Sequence, residues 1–516
     1  VKVILSREQS QAFDERTMQN NAVPGVVLME NAGRGAADLL LSHFNGKPHQ
    51  VLVVAGPGNN GGDGFVVARR LKVNGHHVEV ALLTEPLRLT GDAKVMWDAY
   101  VGVGGEYHVV STESEVHRFE ESLAGSQVVV DALFGTGLVR HVTGLHARIV
   151  ELVNAANALR VALDVPSGLD ASRGIILGTA VRADVTVTFG HEKFGLLNSA
   201  GVDHAGQLEL VDIGVPAQSR ELGEHVAEHL EIDEFKDLLI PRSLAAHKGS
   251  SGRVGLLAGH PGTTGAALLC ARGALRMGAG LVTHLGLPDT ITAIESRVLE
   301  AMTRKIDPHH PVTSFTEATH GMDALVVGPG LGLGHAQTEL VGHIVEHCEI
   351  PVVLDADALT FIASNLRKLR LAKGPRVLLP HRGEMARLLQ CTIGEIEQDP
   401  LGAMAQLTDL THATVLLKGA YSFVASPGKK PKVVGAPCPV LATGGTGDVL
   451  AGMVGALLVD HDPLVATLLA AFLHSRAGTL WKEAHGSDRG LLASELAELV
   501  PAAVAELSRP KAVLTD

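Results

Sequence analysis

The chain has 516 residues, 46% of them hydrophobic and 19% charged, with 58 glycines, 3% aromatic residues and a formal net charge of −13. That length suggests roughly two to four domains, each able to bury a full core, and glycine-rich, aliphatic composition suits an α/β enzyme. No basic block is present, which argues against nucleic acid and anionic membrane as partners and leaves any bound phosphate to backbone N–H groups and a few lysines. Cys270, Cys348, Cys391 and Cys438 are widely spaced and form no CxxC pair, the pattern of reduced thiols in a cytoplasmic protein. No apolar run approaches the roughly 18 residues that span a bilayer, and no signal peptide is visible. Val1 in place of Met leaves a removed leader open.

Ser6 with Gln9 three residues on reads as a capping box for a helix through about residue 19. A second helix is expected from about Pro24, carrying Leu28, Met29, Ala32, Ala36, Leu39 and Leu40. Apolar runs at 51–55, 78–83, 128–133, 161–165 and 185–189 then alternate with helical stretches. This is the pattern of a parallel, doubly wound sheet, whose sites lie beyond the strands' carboxyl ends.

The first strand end, 56–64, reads GPGNNGGDG and formally contains GxGxxG, with Glu79 near the end of the next strand. A Rossmann dinucleotide site is disfavoured there, because Asn59, Asn60 and Asp63 crowd the turn and Asp63 would set a negative charge beside a pyrophosphate. Asp131 opens DALFGTGL and Asp164 opens DVPSGLD at two other strand ends. All three turns would meet along one sheet edge, where amide, carboxylate and hydroxyl oxygens suit a hard cation such as K⁺ or Mg²⁺ rather than zinc.

NNGGDG, DALFGTGL and DVPSGLD, with PGVVLMENAG at 24–33, resemble the NAD(P)H-hydrate epimerase family over residues 1–215. The resemblance implies a Rossmann-like fold and interconversion of the R and S hydrates of NADH and NADPH. It implies that Asn60, Asp131 and Ser167 bind K⁺. It places Asn59, Asn60, Gly61, Gly62, Asp63, Gly135, Thr136, Gly137, Leu138, Val139, Arg140, His141 and Asp164 on the substrate. The chemistry agrees: C6 of the hydrate bears a ring nitrogen and a hydroxyl, so loss of the hydroxyl leaves a nitrogen-stabilised cation that water can rejoin from either face. One carboxyl acting as acid and then base suffices, a role assigned to Asp164.

Polar, acidic sequence from 216 to about 236 marks the domain junction, with a linker expected over 216–232. HVAEH at 225–229 and HIVEH at 343–347 are formal HxxEH zinc-protease motifs. Neither has an identifiable downstream ligand, and both read as solvated helix faces.

Strand-like runs resume at 253–258, 281–287, 324–327, 352–354, 377–379 and 415–417, with a small-residue helix from 266 to about 277. They end in GPGLG, DADAL, PHRGEM and Lys418-Gly419, and no Walker A sequence is present. Thr443-Gly444-Gly445-Thr446-Gly447-Asp448 then precedes an apolar helical run, 449–459. Glycines before a helix aim backbone N–H groups at a phosphate. An aspartate there makes sense as a base for the group attacking phosphorus; the alternative is a turn in which Asp448 only caps the helix.

These motifs resemble the ribokinase-like fold and, more narrowly, the ADP/ATP-dependent NAD(P)H-hydrate dehydratase family over 233–516. Arg382 departs from a common proline. The resemblance implies nucleotide contacts at Lys418, Gly419, Ala420, Tyr421, Ser422 and Gly447, and hydrated-cofactor contacts at Ala266, Gly330, His381 and Asp448. It implies Mg²⁺ with ADP or ATP. Glu384 reads either as Mg²⁺-linked or as a buried structural group, and Lys418 has the alternative of an ordinary strand-end lysine. The combined expectation is a two-domain α/β homo-oligomer that epimerises hydrated NAD(P)H and dehydrates the S form. The alternatives are a ribokinase-like small-molecule kinase fused to a non-catalytic binding domain, or an N-terminal scaffold module.

Overall fold

Ser6 caps the first helix, Arg7–Asn21, in the way its spacing to Gln9 requires: Ser6 Oγ accepts from the Gln9 amide and Gln9 Oε1 accepts from the Ser6 amide. The second helix, Gly25–His43, buries Leu28, Met29, Ala32, Ala36 and Leu40 on one face. The computed structural model describes residues 1–215, 225–239 and 242–508. By packing, the chain divides into two units, Lys2–Ala227 and Glu228–Asp516.

The first unit contains β1 (Lys2–Leu5), β2 (Gln50–Ala55), β3 (His77–Leu82), β4 (Glu106–Val109), β5 (Val128–Ala132), β6 (Leu159–Leu163), β7 (Val185–Phe189), β8 (Glu192–Lys193) and β9 (Gln207–Val211). Seven of them form a sheet in the order β4-β3-β2-β5-β6-β7-β9, parallel throughout. β1 and β8 pair in parallel with each other outside that sheet. Successive side chains alternate between two cores: Val51, Val53 and Ala55 join one, Leu52 and Val54 the other. Helices therefore cover both faces, as the near-continuous apolar strands predict. The chain leaves β2 toward β3 and later returns on the other side as β5, which makes β2/β5 the switch point and opens a crevice at its carboxyl end.

The second unit contains β10 (Ala227–His229), β11 (Arg253–Leu257), β12 (Leu281–Gly286), β13 (Met302–Lys305), β14 (Ala324–Val327), β15 (Val352–Leu354), β16 (Arg376–Leu378), β17 (Thr414–Leu417), β18 (Ser422–Ala425) and β19 (Lys432–Val434). Their order is β13-β12-β11-β14-β15-β16-β17-β18-β19-β10. The sheet is parallel except that β18 runs antiparallel to both β17 and β19. Its switch point lies between β11 and β14.

Behind that switch point two helices, Thr264–Met277 and Thr446–Leu457, touch backbone to backbone. A Cβ on Gly452 would lie 1.9 Å from the Cys270 carbonyl oxygen, and one on Gly273 would lie 2.2 Å from that of Val449. Glycine on each helix is what permits this approach.

Two expectations change. HVAEH at 225–229 is no helix face: Ala227–His229 is strand β10, and His229 Nε2 donates to the Gly435 carbonyl at 3.1 Å. HIVEH does lie on a helix, His335–His347, where Glu346 pairs with Lys368 at 2.5 Å, and among the described residues no cluster of three or more His, Cys, Asp or Glu could hold a metal. Finally, among the described residues one helix, Pro463–His485, is long and apolar enough to cross a membrane by length and composition, with a mean hydropathy of 1.2. Polar residues interrupt it, which hides it from a search for unbroken runs. Of that window 56% is buried inside the fold, where Leu469, Leu473 and Trp481 enter the core. Of the linker expected over 216–232, residues 216–224 lie outside the described residues.

Candidate active sites

In the first unit NNGGDG is the opening of a helix, Asn59–Val73, that starts directly after β2. Its glycines serve packing. A Cβ on Gly61 would lie 2.0 Å from the Gly56 carbonyl oxygen, one on Gly62 2.5 Å from Met29 Sδ, and one on Gly64 2.6 Å from Ala132 Cβ. The helix is thereby pressed onto the switch point, and Asn59, Asn60 and Asp63 turn toward a cavity of about 720 Å³. The turn Gly135, Thr136, Gly137, Leu138, Val139 and Arg140 after β5, and Asp164 after β6, line the same cavity. Gly61, Gly62 and His141 do not.

Asp131 and Ser167 lie beneath the floor, 2% and 0% exposed. Ser167 donates from Oγ to Asp131 Oδ1 at 2.6 Å and from its amide to Oδ2 at 2.8 Å, while the Phe134 amide donates to Ser167 Oγ at 2.8 Å. Burial pushes the Asp131 carboxyl up to about 6 against the pull of these bonds. Asn60 is buried with neither amide oxygen nor nitrogen hydrogen-bonded to any described residue. An orphaned amide oxygen, a buried carboxylate and a buried hydroxyl, each at or just past the end of one of the neighbouring strands β2, β5 and β6, are donors of the kind a monovalent hard cation takes.

Asp164 holds a left-handed backbone (φ +64°), and its amide donates to the Val187 carbonyl at 2.7 Å. Its Oδ1 pairs with Lys193 Nζ at 2.5 Å. The sequence reading missed Lys193 and also Asp14, which reaches the cavity from the first helix. The available signal was the i, i+4, i+8 series Ser10, Asp14 and Met18, all of which line the cavity. Asp14 is open to cavity water, yet the protein around it pushes its carboxyl up to about 6, with Lys193 opposing and Asp164 reinforcing the shift. Asp63 is raised well above the carboxylate range, first by burial and then by Asp164 and Asp14.

In the second unit Gly445 adopts φ +95° and starts the helix Thr446–Leu457, which sets Asp448 in its first turn. Lys418, at the end of β17, faces that turn: a Cβ on Gly447 would lie 3.8 Å from Lys418 Nζ. The ammonium donates to Asp355 Oδ1 at 2.7 Å and lies 3.8 Å from Glu384 Oε2. Burial opposes its charge, but Asp355, Glu384 and Asp448 together hold the lysine above its usual value. Asp448 is pushed up to about 6 by burial and by Asp355, with Lys418 opposing.

His381 caps the helix Arg382–Leu389 with Nδ1, which accepts from the Gly383 and Glu384 amides, while Glu384 Oε2 accepts from the His381 amide at 2.9 Å. Ala266 and Gly330 meet: a Cβ on Gly330 would lie 3.0 Å from Ala266 Cβ, and Thr263 Oγ1 donates to the Gly330 carbonyl at 2.7 Å. Gly419, Ala420 and Tyr421 form the turn into β18, which Ser422 opens, with Tyr421 buried against His229. The sequence reading missed His474, and it saw Asp355 only as the start of DADAL, without its pairing to Lys418. His474 Nε2 donates to the Thr446 carbonyl at 2.9 Å from the helix Pro463–His485, and burial holds its imidazole down at about 4, so it is neutral.

Two family models match: the YjeF-related protein N-terminus over residues 25–195 and NAD(P)H-hydrate dehydratase over 254–502. The chain is 37% identical to the bifunctional NAD(P)H-hydrate repair enzyme Nnr of Moorella thermoacetica, over 95% of this chain and 94% of that one. It belongs to the bifunctional NAD(P)H-hydrate repair enzymes. The repair enzyme Nnr of Thermofilum pendens is 34% identical (96% of this chain, 95% of the relative), and the Leishmania major repair enzyme is 33% identical (92% and 88%). Among solved structures, the Bacillus subtilis ADP/ATP-dependent NAD(P)H-hydrate dehydratase crystallised with ATP/Mg²⁺ is similar at 28% identity. It covers 55% of this repair enzyme and 99% of its own chain, with a TM-score of 0.48.

Proposed function

We propose that residues 1–215 of this repair enzyme interconvert the R and S hydrates of NADH and NADPH, and that residues 233–516 dehydrate the S hydrate at the expense of ADP or ATP. The observation that carries the reading is the first turn of the helix Thr446–Leu457, where Asp448 and the Gly445 to Gly447 amides share one helix start beside Lys418. The amides and the ammonium hold and neutralise the transferring phosphoryl group, and Asp448 takes the proton from the C6 hydroxyl as its oxygen attacks phosphorus. The phosphorylated carbon then expels phosphate and the neighbouring ring carbon loses a proton, which restores the reduced nicotinamide. Ala266, Gly330 and His381 hold the hydrate, and Lys418, Gly419, Ala420, Tyr421, Ser422 and Gly447 hold the nucleotide. Mg²⁺ supplies charge neutralisation on the nucleotide's phosphates. A mixed R/S hydrate given ADP or ATP should recover its reduced-nicotinamide absorbance completely, with one phosphate released per hydrate. A stable phosphoester product instead would establish the small-molecule kinase reading.

In the N-terminal half, Asp164 gives a proton to the departing C6 hydroxyl and takes one from the water that returns. Asp164→Asn should slow epimerisation by about 100- to 10,000-fold, while dehydration of pure S hydrate stays unchanged. Epimer equilibration at the normal rate in that variant would remove Asp164 from the mechanism.

Asn60, Asp131 and Ser167 are the residues that would hold K⁺, whose charge would offset that of the buried Asp131 carboxyl. Exchange of K⁺ for a bulky organic cation should lower the thermal stability of the N-terminal half, and Asn60→Leu should remove that dependence. Equal melting temperatures with and without K⁺ would refute the assignment. A reducing, cytoplasmic setting accords with four cysteines that form no disulfide.

A further inference from the structure

Lys193 is 2% exposed and lies in the wall of the cavity. Its ammonium donates to Thr188 Oγ1 at 3.0 Å and to the Phe189 carbonyl at 2.8 Å, and it forms an ion pair with Asp164 Oδ1 at 2.5 Å. An ammonium carries three N–H donors. Two are spent on these neutral protein acceptors, which fix the ammonium beside the Asp164 carboxylate. The backbone of Lys193 is fixed too, since β8 pairs with β1 with Lys193 opposite Leu5.

The other carboxylate oxygen of Asp164 has different surroundings. A Cβ built on Gly135 would lie 3.4 Å from Asp164 Oδ2 and 3.3 Å from the Asn60 side chain, so Oδ2 faces the glycine turn that lines the cavity. The carboxylate is thereby divided: Oδ1 is paired with a buried cation, and Oδ2 is presented where a hydrate would lie. We propose that Lys193 is the positioning residue of the epimerase site, clamping Oδ1 so that Oδ2 alone exchanges a proton with the C6 hydroxyl. This rests on the assignment of proton transfer to Asp164.

The charge balance gives Lys193 a second effect. Asp14 from the first helix and Asp63 from the helix Asn59–Val73 both act electrostatically with Asp164, and Lys193 is the cation that opposes them. Removing the ammonium leaves three carboxyls facing one another, which favours protonation.

The test compares Lys193→Met, which keeps the length of the stem, and Lys193→Arg, which keeps the charge, in the full chain. Lys193→Met should lose roughly 10- to 100-fold in kcat for epimerisation with KM nearly unchanged. The acid limb of its pH–rate profile should move to higher pH, and Lys193→Arg should restore part of both. In an Asp164→Asn background, Lys193→Met should add less than about threefold, because the two residues act as a unit. The dehydratase rate of the same preparation reports on the rest of the chain. Lys193→Gln retains a donor without charge and gives the same readouts if the methionine variant does not fold. A folded Lys193→Met protein with the normal kcat and an unshifted profile, in a chain that Asp164→Asn inactivates, overturns the proposal and leaves Asp164 in place. Activity surviving Asp164→Asn overturns the Asp164 assignment itself.

Discussion

Asp448→Asn should abolish NAD(P)H-hydrate dehydration, a loss of about 100- to 10,000-fold, as expected when a general base is removed from a positioned hydroxyl. Nucleotide binding should persist, because the glycine amides and Lys418 are untouched and the asparagine removes a charge that repels phosphate. Calorimetric titration with ADP or ATP measures this beside hydrate consumption. The epimerase serves as an internal standard, since its cavity is lined only by residues of the unit Lys2–Ala227. The wild-type rate should also follow the ionisation of Asp448. Its carboxyl is pushed up to about 6, so the base is ionised above that pH and is progressively lost as pH falls through it. A dehydratase rate flat from pH 5 to 8 in the wild type, or hydrate still consumed by Asp448→Asn, would defeat the assignment.

The second large effect comes from one methyl group. Gly452 lies inside the helix Thr446–Leu457, where alanine is intrinsically favoured over glycine by about 1 kcal/mol. Propensity alone predicts that Gly452→Ala stabilises the protein. Packing predicts the opposite, because the new Cβ would stand 1.9 Å from the Cys270 carbonyl oxygen, and neither backbone can yield without parting the two helices. Overpacking of a rigid backbone contact costs about 3 kcal/mol or more, which outweighs the propensity gain. Thermal unfolding of the C-terminal half should shift down by several degrees with dehydratase activity reduced alongside, while the epimerase persists. A melting temperature unchanged or raised would mean that the contact can relax.

Much of the architecture was legible because buried parallel strands read as short apolar runs and their carboxyl ends as glycine and aspartate motifs. The runs at 51–55, 128–133, 324–327 and 415–417 match β2, β5, β14 and β17 closely. β4 (Glu-Tyr-His-Val) and β13 (Met-Thr-Arg-Lys) were not legible, because each is an edge strand whose exposed residues carry no apolar signal. At the sites, sequence motifs named residues that flank the strand ends but not those arriving from elsewhere. Asp14 sits on a mostly polar helix and Lys193 on a two-residue strand, and nothing local marks either as facing Asp164. NNGGDG illustrates a second limit. A glycine reports that something comes close to the backbone, not what: for Gly61 and Gly62 the neighbours are the Gly56 carbonyl and Met29. Asp355 was visible in DADAL, but its partnership with Lys418 spans 63 positions and required the sheet order to reveal it.

The helix Pro463–His485 bears on how this chain is made as well as on how it is held. It packs across β16, β17, β18 and β19, and every strand of its unit precedes it in sequence. During synthesis this long apolar helix is therefore delivered after every strand of its unit, onto a sheet already available to receive it. Had the same helix stood first, it would have waited, uncovered, for hundreds of residues of translation, the circumstance in which nascent chains aggregate.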